Sequence, residues 1–126
     1  MDIPGKLLYS KDHEWFDINN DNCKIGITEY AQGELGDIVF MELPEIGLKV
    51  KEGDVIGTIE AVKTVADVYS PISGEIIDVN SNLENNPELI NEDPYLNGWI
   101  VNIKAENSID SSEHLNASQY KEFIAK

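Results

Sequence analysis

Short runs of β-branched and aromatic residues alternate with Gly, Pro, Asn and Asp along most of the chain. The pattern is typical of strands joined by turns, because branched side chains pack well on a pleated sheet and the intervening residues adopt turn conformations. The strands it predicts are residues 7–9, 15–18, 23–27, 36–42, 49–50, 55–61, 65–69, 74–79 and 99–104. The predicted fold class is therefore mainly β.

Two helices are expected within this β pattern. Thr28 can cap a short helix over residues 29–35, and Gly36 follows where that helix should end. Near the C-terminus, apolar residues recur on a rough helical period, and Asn116 precedes a Gln by three positions, as in a capping box. We expect a C-terminal helix over about residues 116–125 that covers one side of the β core.

A faint internal repeat indicates how the strands are arranged. Residues 36–42 resemble residues 74–80, and residues 58–61 resemble residues 102–105. One copy alone has too few strands to bury its apolar face, whereas two copies packed against each other would bury both faces. We therefore expect one domain over residues 1–126, a flattened β-sandwich or barrel with approximate two-fold symmetry.

Lys63 lies at the centre of the short connection between the predicted strands 55–61 and 65–69. This centre lacks Gly, Asn and Asp, which disfavours the primed two-residue turns that need positive φ and favours a longer loop built on a type I turn. Lys63 should then project from the tip of a stiff hairpin, where its amine can be acylated and lose its charge. Spacing alone leaves the ordinary alternative open, namely a solvated lysine on a turn.

Residues 59–64 and 66–76 resemble the lipoyl-attachment region of glycine-cleavage H proteins. Further segments match that family in the same order: His13-Glu14-Trp15, Gly26-Ile27-Thr28, Leu35-Gly36-Asp37-Ile38-Val39-Phe40, Glu42-Leu43-Pro44, Leu89-Ile90-Asn91 and Gly98-Trp99. Ala61 and Thr64 depart from the family, which often has Ser at the first position and Ala or Ser at the second. The resemblance extends over nearly the whole chain, from about residue 9 to residue 120.

This resemblance implies a barrel-sandwich hybrid fold of the lipoyl-domain type, with lipoate joined by an amide to Lys63. It also implies a carrier that is not an enzyme. An aminomethyl group would pass from the pyridoxal-phosphate-dependent glycine decarboxylase (P protein) to the tetrahydrofolate-dependent aminomethyltransferase (T protein). Electrons would pass to dihydrolipoyl dehydrogenase (L protein), and a separate lipoyl-attaching enzyme would load the lysine. The redox chemistry belongs to the lipoyl group, and the protein presents it.

Glu14 and Asp67 are candidate contacts of the loaded arm. An aminomethyl amine is prone to hydrolysis in water, so a cleft that receives the arm would shield it, and a carboxylate could pair with the ammonium. Glu14 lies in the matching His-Glu-Trp segment, and Asp67 lies just past the hairpin. The alternative is that both are ordinary surface carboxylates.

Charge and composition narrow the range of partners. The net charge is −15, with 24 acidic residues against 9 basic ones, all of them lysines. Such a field repels nucleic acid and anionic membranes and favours basic partner surfaces. The apolar runs are too short for a signal peptide or a membrane span. We expect a cytoplasmic monomer, and a mitochondrial location would require a transit peptide that has been removed.

Other classes of function remain as alternatives. Cys23 with His13 or His114 could form a nucleophile–base pair, although no third group supports one, and these residues lack metal-ligand spacing. Biotin carriers normally have Met on both sides of their lysine, and lipoyl domains of 2-oxoacid dehydrogenases are shorter and follow Ala/Pro-rich linkers. A relay protein that supplies lipoyl groups to other enzymes, or a non-catalytic interaction module, also stays open.

Overall fold

The computed structural model describes residues 1–125 and contains, within them, nine strands, four helices and one 3-10 turn. The strands are β1 Leu8–Tyr9, β2 Glu14–Asn19, β3 Asn22–Ile27, β4 Ile38–Glu42, β5 Lys49–Val50, β6 Val55–Ala61, β7 Val65–Tyr69, β8 Gly74–Val79 and β9 Val101–Ala105. The helices are α1 Glu29–Leu35, α2 Asn82–Asn85, α3 Leu89–Glu92 and α4 Ala117–Ile124, with the 3-10 turn at Ser111–Glu113. The last residue of the expected 1–126 domain, Lys126, lies outside the described residues.

The strands form two antiparallel sheets that share one buried apolar cluster. The larger sheet has the order β1-β2-β3-β9-β8-β5, and the smaller sheet has the order β4-β6-β7. Ile25, Ile76 and Ile103 enter the cluster from the larger sheet, and Met41 and Ile59 enter it from the smaller one. Each such side chain stabilises the fold by roughly 2 kcal/mol when it is fully buried. The mainly β, two-layered architecture expected from the sequence is confirmed.

The internal repeat corresponds to two similar strand pairs. β4 pairs with β6 in the smaller sheet, and β8 pairs with β9 in the larger sheet. The register shifts between Ile38 and Phe40 in β4 and between Ile76 and Asp78 in β8, which are aligned positions of the repeat. A shift of this kind marks an extra residue in one strand, as in a β-bulge. The two halves of the sandwich therefore share both a pairing and an irregularity.

The two predicted helices are present with the expected caps. Thr28 Oγ1 accepts a hydrogen bond from the Ala31 N–H at the start of α1, and Gly36 ends that helix with a φ of 76°. Asn116 and Gln119 form the reciprocal capping box of α4. None of the helices within residues 1–125 combines the length and the apolar character that crossing a membrane requires.

Several elements differ from the sequence-based expectation, among them β9, which was expected over residues 99–104 and is Val101–Ala105. The one-turn helices α2 and α3 were not predicted, because four residues are too few to show a helical period and neither N-cap side chain makes a capping bond. The strand expected over residues 36–42 begins at Ile38, because Gly36 at its predicted start has a positive φ that a strand does not accommodate.

The C-terminal helix is tied to the start of α1 through Tyr120. The ring of Tyr120 stacks on Tyr9 with centroids 4.7 Å apart. Its hydroxyl lies 2.8 Å from Thr28 Oγ1 and 2.9 Å from His13 Nδ1, and burial raises the pKa of Tyr120 to about 12. Helix α4 therefore covers the β core, as expected, and it also holds the N-cap of α1 against the segment that precedes β2.

Candidate functional site

Lys63 lies at the tip of the hairpin formed by β6 and β7. The Ala61 N–H donates a 2.8 Å hydrogen bond to the Thr64 carbonyl, so only Val62, Lys63 and Thr64 separate the two strands, and all three are exposed. Within residues 1–125, positive φ values outside glycine occur only at two residues in other parts of the chain. The expectation that this turn is not of a primed type is confirmed, and its amine-bearing residue is accessible.

The tip is supported by the connection between α1 and β4. The Val62 N–H donates a 3.0 Å hydrogen bond to the Asp37 carbonyl. The Lys63 side chain passes over Gly36, where a Cβ atom would lie 3.5 Å from Lys63 Cε and 3.9 Å from Nζ. The amine therefore lies near the C-terminal end of α1, where the helix carbonyls favour a positive charge.

Asn91 on α3 fixes this connection from below the tip. Its Oδ1 accepts a 2.9 Å hydrogen bond from the Ile38 N–H. Its Nδ2 donates to the Gly36 carbonyl at 2.8 Å and to Gln32 Oε1 at 2.9 Å. One side chain thus joins the end of α1 to the start of β4. In the sequence, Asn91 is notable only as part of a motif that matches the family, and no local signal indicates that it contacts these distant segments.

A cleft of about 320 Å³ runs between α1, the segment before β2, and the strands β6 and β7. Its apolar lining residues include Ile27, Leu35, Ile59 and Val68. Its lining carboxylates are Asp12, Glu14, Glu34 and Asp67. The structure therefore brings both sequence-predicted carboxylates to one cleft, and that cleft lies along the helix whose end the Lys63 side chain contacts.

Glu14 is a buried residue, so the alternative reading of it as an ordinary surface carboxylate is wrong. One carboxylate oxygen accepts a 3.0 Å hydrogen bond from Ser10 Oγ, and the other accepts a 2.7 Å hydrogen bond from the Tyr69 N–H. Burial raises the pKa of Glu14 to about 7, and these two hydrogen bonds oppose the rise. Because Tyr69 belongs to β7, Glu14 also links the two sheets.

Asp67 differs from Glu14 in its surroundings. It is exposed, and its Oδ1 accepts a 3.1 Å hydrogen bond from Thr58 Oγ1 on the neighbouring strand. It lines the same cleft, where Glu14 is buried and the other lining carboxylates, Asp12, Glu34 and Asp67, are exposed.

The residues of the suggested nucleophile–base pair do not form one. Cys23 is buried in the main core, and burial raises the pKa of its thiol to about 12, which opposes formation of a thiolate. The His13 Nδ1 atom hydrogen-bonds Tyr120, and the His13 ring packs against Tyr30 and Phe123. Burial lowers the pKa of His13. This histidine serves as a packed wall of the cleft, which sequence reasoning did not anticipate.

Fold and site together define a class of protein. A small two-sheet β domain that exposes a lysine at a supported hairpin tip, next to a cleft, has the architecture of a carrier of a covalently attached group. Its rigid elements orient the lysine, and the turn leaves the amine accessible to a modifying enzyme.

The comparisons with known proteins identify the family within this class. A family model described as glycine cleavage H-protein matches residues 7–126. Glycine cleavage system H proteins of Staphylococcus epidermidis (strain RP62A) and Staphylococcus haemolyticus (strain JCSC1435) are 51% and 48% identical over 126 residues, with 100% of each chain covered. A crystal structure of a glycine cleavage system H protein from Mycobacterium marinum matches with a TM-score of 0.90 at 37% identity, covering 98% of this chain and 100% of that one.

The chain therefore belongs to the glycine cleavage H-protein family, a family of carrier proteins. It has the lipoyl-domain type of barrel-sandwich fold and acts as a lipoyl carrier of the glycine cleavage system.

Proposed function

We propose that Lys63 carries lipoate through an amide bond and that the protein itself performs no catalysis. In this role it receives the aminomethyl group from glycine decarboxylase, presents it to the aminomethyltransferase, and passes electrons to dihydrolipoyl dehydrogenase. The dithiolane of the attached lipoyl group would supply the acceptor and redox chemistry. The observation that carries the proposal is the exposed Lys63 at a tip supported by Asp37 and Gly36.

The dimensions of the site fit a lipoyl arm. An arm of lysine and lipoate extends to on the order of 12–15 Å, given ordinary covalent lengths. Helix α1 has 7 residues, so it is about 10 Å long at 1.5 Å per residue. An arm rooted at Lys63, beside the end of α1, is therefore comparable in length to this helix and can extend along it toward Tyr30, which lines the cleft. The apolar residues Leu35 and Ile59 give that cleft surfaces that suit a hydrocarbon chain.

Glu14 is the residue that would pair with a cationic amine held in the cleft, with Asp67 as a weaker, solvated partner. Burial without a cation raises the pKa of Glu14 to about 7, so an ammonium nearby would restore the carboxylate. We expect Glu14→Gln to speed the loss of the aminomethyl group from the loaded protein and Asp67→Asn to have a smaller effect. A decay rate that Glu14→Gln leaves unchanged would remove Glu14 from the proposal.

Family membership and charge support the proposed partners and location. A net charge of −15 favours basic docking surfaces on the decarboxylase, the aminomethyltransferase and the dehydrogenase. The relatives compared here are bacterial, and we place the protein in the cytoplasm as a monomer. A relay role, in which lipoyl groups pass on to other enzymes, would use the same lysine.

A reconstituted assay tests the proposal. Lipoylated wild-type protein, Lys63→Arg and the matched control Lys104→Arg, whose lysine is exposed on β9, are each combined with the three partner enzymes, glycine, tetrahydrofolate and NAD+. Wild type and Lys104→Arg should support glycine decarboxylation and folate methylenation at equal rates, and Lys63→Arg should support none. Activity with Lys63→Arg would refute attachment at Lys63. A lipoylated wild type that is inactive with all three partners would instead favour the relay role.

A further inference from the structure

Four large apolar side chains surround the Lys63 tip without being buried. Their exposed fractions are 75% for Val62, 60% for Val65, 54% for Val39 and 46% for Phe40. Val62 and Val65 flank Lys63 on the hairpin. Val39 and Phe40 lie on β4, which pairs with the end of β6 that leads into the hairpin tip. We call these four residues the tip patch. A cluster of exposed apolar side chains of this kind marks interaction sites on folded proteins.

The bulge in β4 is what places two neighbouring apolar side chains on the exposed face. In a regular strand, successive side chains point to opposite faces, so one of Val39 and Phe40 would be buried. The register shift between Ile38 and Phe40 breaks that alternation, and both residues are exposed. Phe40 then lies opposite Glu60, which in turn lies opposite Val65, in one row across the sheet.

The other half of the molecule shows that the fold does not require this exposure. The aligned bulge in β8 involves Ile77 and Asp78, of which Ile77 is half-buried and Asp78 is the exposed one. The same backbone irregularity therefore presents a polar residue in one half and an apolar pair, Val39 and Phe40, in the half that carries Lys63. The bulge accounts for the exposure of two neighbouring side chains, and the apolar character of both is particular to the half that carries Lys63.

The surroundings of the tip patch are acidic. Glu60 lies within the row, Glu42 lies further along β4, and Asp37 accepts the hydrogen bond from the tip. All three side chains are exposed. A complementary partner surface would therefore have an apolar hollow fringed by Lys or Arg side chains.

We propose that the tip patch is the docking surface for the enzyme that acylates Lys63, and that this enzyme contacts the bulged strand β4 as well as the hairpin. The inference rests on the proposed attachment at Lys63. A loading enzyme must bring its reacting carbon within bonding distance of Lys63 Nζ, so it necessarily covers the residues beside that atom. Partners that act on the far end of the arm, which extends about 12–15 Å from the Lys63 backbone, do not need this surface.

The loading step defines the reaction to be measured. Lys63 Nζ attacks the carboxyl carbon of lipoyl adenylate, and the amide C–N bond forms as the C–O bond to phosphate breaks. AMP leaves with the bonding electron pair, and the ammonium loses two protons to solvent. No oxidant or reductant takes part. The adenylate comes from lipoate and ATP on the loading enzyme.

Steady-state loading of the apoprotein by a purified lipoate ligase, with ATP and lipoate, tests the proposal. For Phe40→Ser we expect kcat/KM to fall about tenfold, mainly through KM, because a central apolar anchor of the interface is lost. Phe40→Leu, which keeps the apolar surface, should load at close to the wild-type rate. The matched control is Val55→Ser, because Val55 is 48% exposed on the same sheet and pairs with Tyr69 at the end away from the tip.

Each outcome decides between named readings. Loading of Phe40→Ser at the wild-type rate would mean that the enzyme recognises the hairpin without β4, which overturns the proposal. Attachment at Lys63 would be unaffected by that result. An equal fall for Val55→Ser overturns the assignment to the tip patch. Normal loading of Phe40→Ser, with impaired turnover of the loaded form by the glycine decarboxylase, assigns the surface to that partner instead.

A wild-type apoprotein that is never loaded would overturn the proposed function itself. Thermal unfolding of Phe40→Ser near the wild-type temperature shows that the effect is not misfolding.

Discussion

The strand pairs β4–β6 and β8–β9 are built alike and lie in very different surroundings. Both are antiparallel, and both carry a register shift at the same aligned position. The β8–β9 pair lies inside the six-stranded sheet, between β5 and β3, whereas the β4–β6 pair belongs to a three-stranded sheet whose outer face is exposed. One copy of the unit completes the core, and the other copy presents Lys63.

This difference shows how a small fold can carry a presentation site without losing its core. The inner faces of both pairs remain apolar and buried, with Ile103 in β9 and Ile59 in β6 at aligned positions. The two pairs differ on the outer face, where the smaller sheet exposes the apolar residues Val39, Phe40 and Val65. Its tip bond from the Val62 N–H to the Asp37 carbonyl has a counterpart in the bond from the Glu106 N–H to the Ser73 carbonyl beside β8, whereas the Ile38 N–H bonds the Asn91 side chain and the aligned Ile76 N–H bonds the Leu48 backbone carbonyl. Support for the tip therefore comes partly from the repeat and partly from the Asn91 side chain.

The largest expected effect contrasts the two surroundings directly. Ile103→Ala should lower the free energy of unfolding by about 4 kcal/mol, because it removes a buried side chain and leaves a cavity. Val65→Ala, on the exposed face beside the tip, should change it by less than about 0.5 kcal/mol. Urea unfolding followed by circular dichroism measures both. Comparable losses of stability in the two variants would mean that the Val65 side chain is packed in the folded protein and that the outer face of the smaller sheet is not exposed.

The link between the two sheets through Glu14 should appear as a pH dependence. Burial raises the pKa of Glu14 from its ordinary 4.5 to about 7, so the folded state holds this proton more tightly than the unfolded state. The stabilisation is complete below pH 4.5 and is lost as pH rises through 7. Glu14→Gln mimics the neutral acid, so its stability relative to wild type should rise with pH by on the order of 3 kcal/mol.

The difference between the two proteins isolates Glu14 from other titrating groups. Burial lowers the pKa of His13, so the stability of the folded state falls as pH drops below 6.5, which is the opposite trend to that of Glu14. Wild type and Glu14→Gln both contain His13, so its contribution cancels in their difference. Urea unfolding from pH 4 to pH 8 provides the measurement. A constant difference between Glu14→Gln and wild type across that range would show that burial does not raise this pKa.

Removal of the Asn91 side chain should loosen the tip more than the core. Asn91→Ala leaves the Ile38 N–H and the Gly36 carbonyl without their partner and should cost about 2 kcal/mol. Amide hydrogen exchange should become faster at Val62, whose N–H bonds the connection that Asn91 holds, and should stay slow at Ile103 in β9. Equal acceleration at both amides would argue that Asn91 stabilises the whole fold without a local role at the tip.

The smallest expected effect separates backbone strain from contact with Lys63. Gly36→Ala and Gly53→Ala both place an L residue at positive φ, 76° and 91°, and each should cost about 1 kcal/mol. Only at Gly36 does the added methyl meet the Lys63 side chain, since no atom lies within 4 Å of a Cβ at Gly53. We expect similar losses of stability but slower loading of Lys63 in Gly36→Ala alone. Slower loading in both variants would attribute the effect to strain.

Local signals explain which features were predictable from the sequence. Thr28 and Gly36 mark the two ends of α1, and both act within a few residues of the chain, so its bounds were predicted correctly. The exposed position of Lys63 likewise depends on short-range turn chemistry. The family resemblance, and not the strand pattern, indicated Glu14.

Features that depend on distant contacts could not be predicted. Glu14, Trp15 and Phe16 are buried in succession, contrary to strand alternation. The reason is that Trp15 packs in a cluster with α4 while Phe16 packs in the main core, so both faces of β2 are covered. Asn91 likewise gives no local sign of its three partners, which are Gln32 in α1, Gly36 after that helix and Ile38 in β4.

The most direct test of the central claim is the location of the lipoyl adduct. Protein produced in lipoate-replete cells is digested, and tandem mass spectrometry assigns the modification to individual lysines. The account predicts that the adduct occurs on the peptide that contains Lys63 and on no other, and that Asn91→Ala reduces its occupancy. An adduct on a different lysine, or an unmodified Lys63 in cells whose other lipoyl proteins are fully loaded, would contradict it.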